Sequence, residues 1–262
     1  ATEDETKVKQ VLDRVSGLVP AIALDSPPPE TARLIYGAVR EVTGVEDPFK
    51  THKRESIERA LSIYEELQSL VESSEDRLLA AVKTAICGNV IDLGANPDFD
   101  LRAEINDVLG KAPSIDHYES FKRSLEAART VLYLADNAGE TVFDRILIET
   151  MAKETVYAVR DIPIINDATI EDAEKSRIGE VARIISSGCD YPGTILEKCS
   201  PEFLDIFEKA DLIISKGQGN FESLSGAQVP IFILLKVKCP VIARHLGAET
   251  GDLILKDCRL KA

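Results

Sequence analysis

The 262-residue sequence contains no tryptophan and only 5% aromatic residues, so leucine, isoleucine, valine and alanine must fill most of any core. Positive charge is also scarce: 31 Lys and Arg stand against 45 Asp and Glu, a formal net charge of −14. That balance argues against a general nucleic-acid binder, which needs a basic stripe to meet phosphate. It favours solubility and cation binding, so an anion site has to be built locally from a metal, a lysine or backbone N–H groups. The cysteines are Cys87, Cys189, Cys199, Cys239 and Cys258; none is spaced as C-x-x-C, and an odd number argues against a disulfide framework. They read as free thiols in a reducing cytoplasm. No apolar run is long enough to span a membrane, and no signal-peptide pattern opens the chain. The histidines, His52, His117 and His245, lack ligand spacing, which argues against histidine–zinc chemistry. There is no G-x-S-x-G elbow, Walker loop or Cys–His nucleophile motif.

What is present changes character near residue 130. Before it, apolar residues recur at helical spacing: over Val8 to Val19, from Ser26 to Gly44, over Ser56 to Val71, Arg77 to Ile86, Leu101 to Leu109 and Ile115 to Ala128. After it, short apolar runs alternate with helical segments. Strands are expected at Val131 to Ala135, Val156 to Val159, Ala182 to Ile185, Leu212 to Ser215 and Ile231 to Leu235, with a further pair near Val241 and Leu253. Helices are expected at Glu140 to Ala152 and Pro201 to Ala210. Continuous apolar strands separated by helices indicate a mainly parallel sheet covered on both faces. The expected fold is therefore α/β: a helical N-terminal region, 1–129, packed on a Rossmann-like three-layer α/β/α domain, 130–262.

Polar residues cluster after several of these strands. The first strand runs into Asp136-Asn137-Ala138-Gly139-Glu140, the second into Asp161 to Thr169, the fourth into Lys216-Gly217-Gln218-Gly219-Asn220-Phe221-Glu222. Loops leaving the carboxyl ends of parallel strands share the ligand-binding edge of such a sheet. Asp136 and Asp167 would follow successive strands of one βαβ unit and converge, with Lys216 arriving on the same rim. Two carboxylates and an amide oxygen suit Mg²⁺ or a similar divalent ion. A lysine and close backbone N–H groups suit phosphate. Each element also has a plainer reading: Asp136 or Asn137 as a helix cap, Asp167 as a turn residue, and Gly217-Gln218-Gly219 as an incomplete dinucleotide fingerprint. A fourth segment, Cys87 to Gly94, interrupts an apolar stretch with Asn89 and Asp92, as a cleft wall or a loop would.

At these residues the chain resembles the metal-dependent damage-control phosphatases, long filed as domain of unknown function 89. The matching stretches are Gly88-Asn89-Val90-Ile91-Asp92, Asp136 to Glu140, Pro163 to Thr169 and Lys216 to Glu222, with a weaker match at Asp47-Pro48-Phe49 and Lys53. The resemblance implies a divalent metal (Mg, Mn, Co or Ni) on Asp136, Asn137 and Asp167. It also implies Asn89 and Asp92 lining a substrate pocket, and Lys216, Gly217 and Asn220 in a phosphate-binding segment. Two departures stand out: the compact branch usually carries an N-terminal Cys-x-x-Cys, absent here and expected on an upstream segment, and Glu222 stands where the eukaryotic branch carries Arg.

The activity so implied is hydrolysis of phosphomonoesters of small metabolites (sugar phosphates, phosphopantetheine or its damaged forms) with Asp136, Asp92 and Lys216 as catalytic candidates. The attacking group is a water or a carboxylate such as Asp92 or Asp136. The expected partner is a small phosphorylated metabolite, with neither nucleic acid nor membrane. Two other readings stand beside it: S-adenosylmethionine-dependent methyl transfer, which would need a glycine-rich loop after the first strand, and a non-catalytic metal- or phosphometabolite-binding module.

Overall fold

The apolar runs assemble into one seven-stranded sheet in the computed structural model, which describes residues 1–23, 26, 28–88, 101–224 and 229–260. Its strands are β1 (Ile115–Asp116), β2 (Thr130–Leu134), β3 (Glu154–Val159), β4 (Arg183–Ser186), β5 (Leu212–Lys216), β6 (Ile231–Lys236) and β7 (Leu253–Asp257). They lie in the order β1-β7-β6-β5-β2-β3-β4, with every neighbouring pair parallel except β6 and β7. The chain steps outward from β2 to β3 and β4, and the other way from β5 to β6 and β7. The reversal between β2 and β5 opens a crevice at the carboxyl ends of those strands.

Side chains alternate across the strands, and both faces are covered. Tyr133, Tyr157, Ile214, Phe232 and Leu234 point to a core shared with Ile57, Ala81, Ile86 and Phe121. Leu132, Leu134, Ile213 and Ile233 point the other way, to Phe203, Phe207, Phe221 and Leu246. The first face is supplied by helices α3 (Lys50–Leu61), α4 (Tyr64–Ser73), α5 (Arg77–Cys87), α6 (Leu101–Gly110), α7 (Tyr118–Ala127) and α8 (Thr141–Met151). The second is supplied by α10 (Pro201–Lys209), α11 (Gly217–Leu224) and α12 (Pro240–Leu246). A short α9 (Ile170–Lys175) follows β3, opened by a capping box between Thr169 and Asp172. Because one core joins residues on both sides of position 130, and β1 belongs to the same sheet, the change in sequence character there is not a gap in packing.

Four expectations are corrected. The pattern over Ser56 to Val71 belongs to two helices, α3 and α4, separated at Ser62 and Ile63. Residues Ile115 and Asp116, expected to open a helix, pair with Ile254 and Leu255 of β7 before α7 begins. Val241 lies in α12 rather than in a strand; Pro240 starts that helix, and Ile242, Ala243 and Leu246 form its buried face. The glycine-rich stretch after Lys216 is helical too, as α11. Among the described residues no helix is long and apolar enough to cross a membrane.

The N-terminal pair α1 (Glu5–Leu18) and α2 (Pro28–Thr43) is held differently. Among the described residues, neither helix contributes to either apolar core. The links of α2 to the body include polar ones: Arg33 reaches Asp190 at 2.7 Å and lies over the Tyr191 ring, and Arg40 donates to the Pro163 carbonyl, while Tyr36 meets the Phe49 ring edge to face.

One buried ion group ties α3 to the loop structure beyond β3. Lys53, 2% exposed, places Nζ 2.7 Å from Asp172 Oδ2 and 2.8 Å from Asp47 Oδ2. That Asp172 oxygen also accepts from the backbone N–H and hydroxyl of Thr169. Lys53→Ala strands two withdrawn carboxylates and is expected to cost about 3 kcal/mol in urea unfolding. Lys50→Ala, which removes an exposed ion pair at 3.7 Å to Glu171, is expected to stay within about 0.5 kcal/mol. Equal costs for the two would contradict this assignment.

Candidate active site

Register sets the site. Leu134 pairs with Ala158 of β3 and with Ser215 of β5, so Asp136, Arg160 and Gly217 leave the sheet at one level. Beyond the strands the backbone continues to pair. The N–H of Ala168 donates to the Asp136 carbonyl at 2.8 Å, and that of Ala138 to the Asn166 carbonyl at 2.9 Å, making an antiparallel bridge between Asn137 and Asp167. These bonds draw the two acidic loops together. Ile165, at the bend of the second loop, has φ 47°, a backbone region that strains a β-branched side chain.

The result is an open cleft of about 310 Å³ whose lining includes Asp136, Asn137, Asp167, Gln218, Glu222 and Lys238. Pro28, Pro29 and Ala32 of α2 wall its other side. The close approach of α11 depends on Gly217, which has φ 80° and whose missing Cβ would lie 2.0 Å from Asp136 Oδ2.

Each oxygen donor is oriented by a group behind it. Asp167 Oδ2 accepts from Arg160 Nε at 2.7 Å. Arg160 is 3% exposed, and it also donates to Thr194 and to Asn220 Oδ1. Asn137 donates from Nδ2 to Asp136 Oδ2 at 3.1 Å and to Glu140 Oε1 at 2.7 Å, which commits both its hydrogens and leaves Oδ1 as its remaining polar atom. Glu140 in turn meets Lys216 Nζ at 2.7 Å, and Lys216 meets Asp144 at 2.7 Å. Asp144 completes its shell with the hydroxyls of Tyr133 and Tyr157, both at 2.7 Å. Glu140, Asp144, Lys216 and both tyrosines are fully buried.

The electrostatics follow from this layering. Burial raises the pKa of the Asp136 carboxyl well above the usual carboxylate range, with Glu140 and Asp167 adding repulsion and Lys238 and Arg160 opposing it. Burial works against the Lys216 ammonium, yet Asp144 and Glu140 outweigh it and hold its pKa above the ordinary lysine value. Burial raises the Asp144 carboxyl, with Lys216 opposing. Counting Asp136, Asp167, Glu140 and Asp144 against Arg160 and Lys216, the ionised site stands two positive charges short. A divalent cation matches that deficit, and two carboxylates with an amide oxygen are the hard donors it prefers. Among the described residues no group of three His, Cys, Asp or Glu side chains is arranged to hold a metal.

Of the residues expected from sequence, Asp136, Asn137 and Asp167 are brought together, with Gly217 directly against Asp136. Lys216 and Asn220, expected to meet the substrate, are both turned away from the cleft in this structure. Lys216 is 0% exposed and turned to Glu140 and Asp144. Asn220, also 0% exposed, donates to the carbonyls of Ala135 and Lys216 and accepts from Arg160 and Thr194, so its amide has no capacity left for a ligand. Asn89 and Asp92 lie outside the described residues. Sequence reasoning missed Arg160, Glu140 and Lys238. The signal for Arg160 was a charged residue directly following the apolar run of β3, where a buried cation must have a carboxylate partner.

Comparison with known proteins gives a consistent result. The family model for the damage-control phosphatase ARMT1-like domain matches residues 1–254. A protein named damage-control phosphatase from Pyrococcus horikoshii is 38% identical, over 90% of this chain and 80% of that one. Another with that name, from Archaeoglobus fulgidus, is 35% identical over 97% of this chain and 91% of its own. A crystal structure of a protein of the domain-of-unknown-function 89 family from Pyrococcus horikoshii superposes with a TM-score of 0.90 at 34% identity, covering 98% of this chain and 91% of that chain.

The contact between Gly217 and Asp136 has a measurable cost attached. Gly217→Ala is expected to lose at least about 2 kcal/mol in urea unfolding, combining left-handed strain with displacement of the Asp136 carboxylate. Gly247→Ala provides the comparison, since Gly247 has φ 68° but nothing within 4 Å of a Cβ. It should cost only the strain, about 1 kcal/mol. A Gly217→Ala protein as stable as Gly247→Ala would disprove the close approach.

Proposed function

The chain belongs to the damage-control phosphatase ARMT1-like family, and from that membership we propose that it hydrolyses phosphomonoesters of small metabolites with a divalent metal ion held by Asp136, Asn137 and Asp167. The observation that carries this reading is the bridging of two acidic strand-end loops over one cleft, with Asp136 held at raised pKa by burial and by the carboxylates beside it. A cation bound there would neutralise phosphoryl oxygens and so stabilise the charge that develops during transfer.

The chain's own residues divide the remaining work. Arg160 occupies one oxygen of Asp167 and so fixes the direction in which the carboxylate offers the other. Glu140, itself held by Lys216, fixes the amide plane of Asn137. Lys238, exposed on the cleft rim, places positive charge where an entering phosphate dianion would pass. Lys216 and Asn220 act from beneath as positioning residues rather than as ligands. The modest cleft suits a small phosphate ester. In keeping with the relatives' name, the metabolic role would be removal of phosphate from unwanted by-products.

Methyl transfer is the weaker reading. The loop after β2 contains one glycine, Gly139, which is buried, and its backbone is engaged by the loop carrying Asp167. A non-catalytic sensor would keep the donor set without turnover, and the decisive experiment is therefore kinetic. 4-Nitrophenyl phosphate hydrolysis should require added Mg²⁺, Mn²⁺, Co²⁺ or Ni²⁺, cease with a chelator, and return on adding metal. Asp136→Ala and Asp167→Ala should each lower kcat/KM at least about 100-fold. Metal-independent turnover, or near-normal activity in both variants, would refute the proposal.

A further inference from the structure

Several withdrawn carboxylates in this protein have cations built against them. Asp167 has Arg160, Glu140 and Asp144 have Lys216, and Asp47 and Asp172 have Lys53. Glu222 is different. On α11 it stands four residues after Gln218, so both lie on the helix face that lines the cleft. Gln218 is engaged, since its Oε1 accepts from the Lys238 N–H at 2.6 Å. Glu222 is half-buried, and among the described residues its carboxylate accepts no hydrogen bond and joins no ion pair. Burial alone raises its pKa, with no neighbouring charge contributing.

A carboxylate partly removed from water without a partner is costly, and the cost falls when a cation arrives. At the cleft surface that cation can come with the ligand. The donor set of Asp136, Asn137 and Asp167 and the unpartnered Glu222 belong to the same small cleft, so one molecule can engage both. We propose that Glu222 determines specificity, selecting phosphomonoesters that carry an ammonium group on the portion away from the phosphate and rejecting those with a second anion. The inference rests on the phosphomonoester reading above and adds the charge of the substrate's other end. Discrimination has both an attractive and a repulsive part, because a carboxylate or second phosphate in that position would be driven against Glu222.

Two measurements on the metal-loaded protein test this. In the first, kcat/KM is compared for ethanolamine phosphate, 3-phosphoglycerate and 4-nitrophenyl phosphate. Glu222→Gln should lower the ratio of ethanolamine phosphate to 4-nitrophenyl phosphate about tenfold, the effect of losing one close charge pair, mainly through KM. Glu222→Lys should move the preference toward 3-phosphoglycerate. In the second, calorimetry measures binding of ethanolamine phosphate and inorganic phosphate to wild type and Glu222→Gln. Wild type should prefer ethanolamine phosphate, and the variant should lose that preference. A protein that turns over no ester but keeps the calorimetric preference would defeat the phosphatase reading and leave the Glu222 assignment standing. Equal effects of Glu222→Gln on all three esters, or no preferential binding of ethanolamine phosphate by wild type, would overturn the assignment.

Discussion

The architecture of the cleft depends on a short antiparallel pairing outside the main sheet, where residues 136–138 and 166–168 exchange backbone hydrogen bonds. Two loops that each carry an aspartate would otherwise separate, because like charges with low solvation repel. The backbone bonds oppose that separation, and the parallel register of β2 with β3 brings the loops to the same height. Asp136 and Asp167 are thus neighbours for structural reasons unrelated to their charges. The resulting electrostatic tension is visible in the raised Asp136 pKa.

Compensation for that tension is graded by depth. Deepest, Asp144 is held by two tyrosine hydroxyls and Lys216, a fully buried group whose polar atoms have been supplied with partners. Above it, Glu140 and Arg160 hold two side chains that line the cleft, Asn137 and Asp167 respectively. At the rim, Lys238 is exposed and Glu222 is half-buried. Rigid partners lie where a donor must be held in place.

The sequence conveyed the parts of this design that depend on local pattern. Strands with apolar runs were legible because a parallel sheet buries both faces, and β2, β3, β5 and β6 fell where the runs of Val, Ile and Leu placed them. The convergence of Asp136 and Asp167 was legible from topology, since their loops follow neighbouring parallel strands. The depth of a polar side chain was not. Lys216 ends β5 and looks like a rim residue in the sequence, but strand alternation turns it inward to Glu140 and Asp144, which lie more than 70 positions earlier. Asn220 looked like part of a glycine-rich anion loop, yet Gly217 begins a helix whose buried side carries that amide. Val241 shows the same limit for secondary structure: an apolar pair in isolation has no period, and Pro240 decided for helix.

The wall facing Asp136, Asn137 and Asp167 comes from α2, which lies outside both apolar cores. Its attachment uses Arg33 against Asp190 and Tyr191, and a weak bond from Arg40 to the Pro163 carbonyl. Those contacts meet the same two loops, 161–167 and 190–193, that carry Asp167 and brace α11 through Gly193 and Gly219. Partly exposed ionic contacts contribute little stability compared with a buried apolar interface. The acidic loops are therefore mounted on the sheet between the two apolar cores, whereas one wall of the cleft is mounted on a helix outside them. In such a division the shape of the cleft can vary with α2 while the sheet and the buried Lys216 network, which Arg33 and Arg40 do not contact, stay constant.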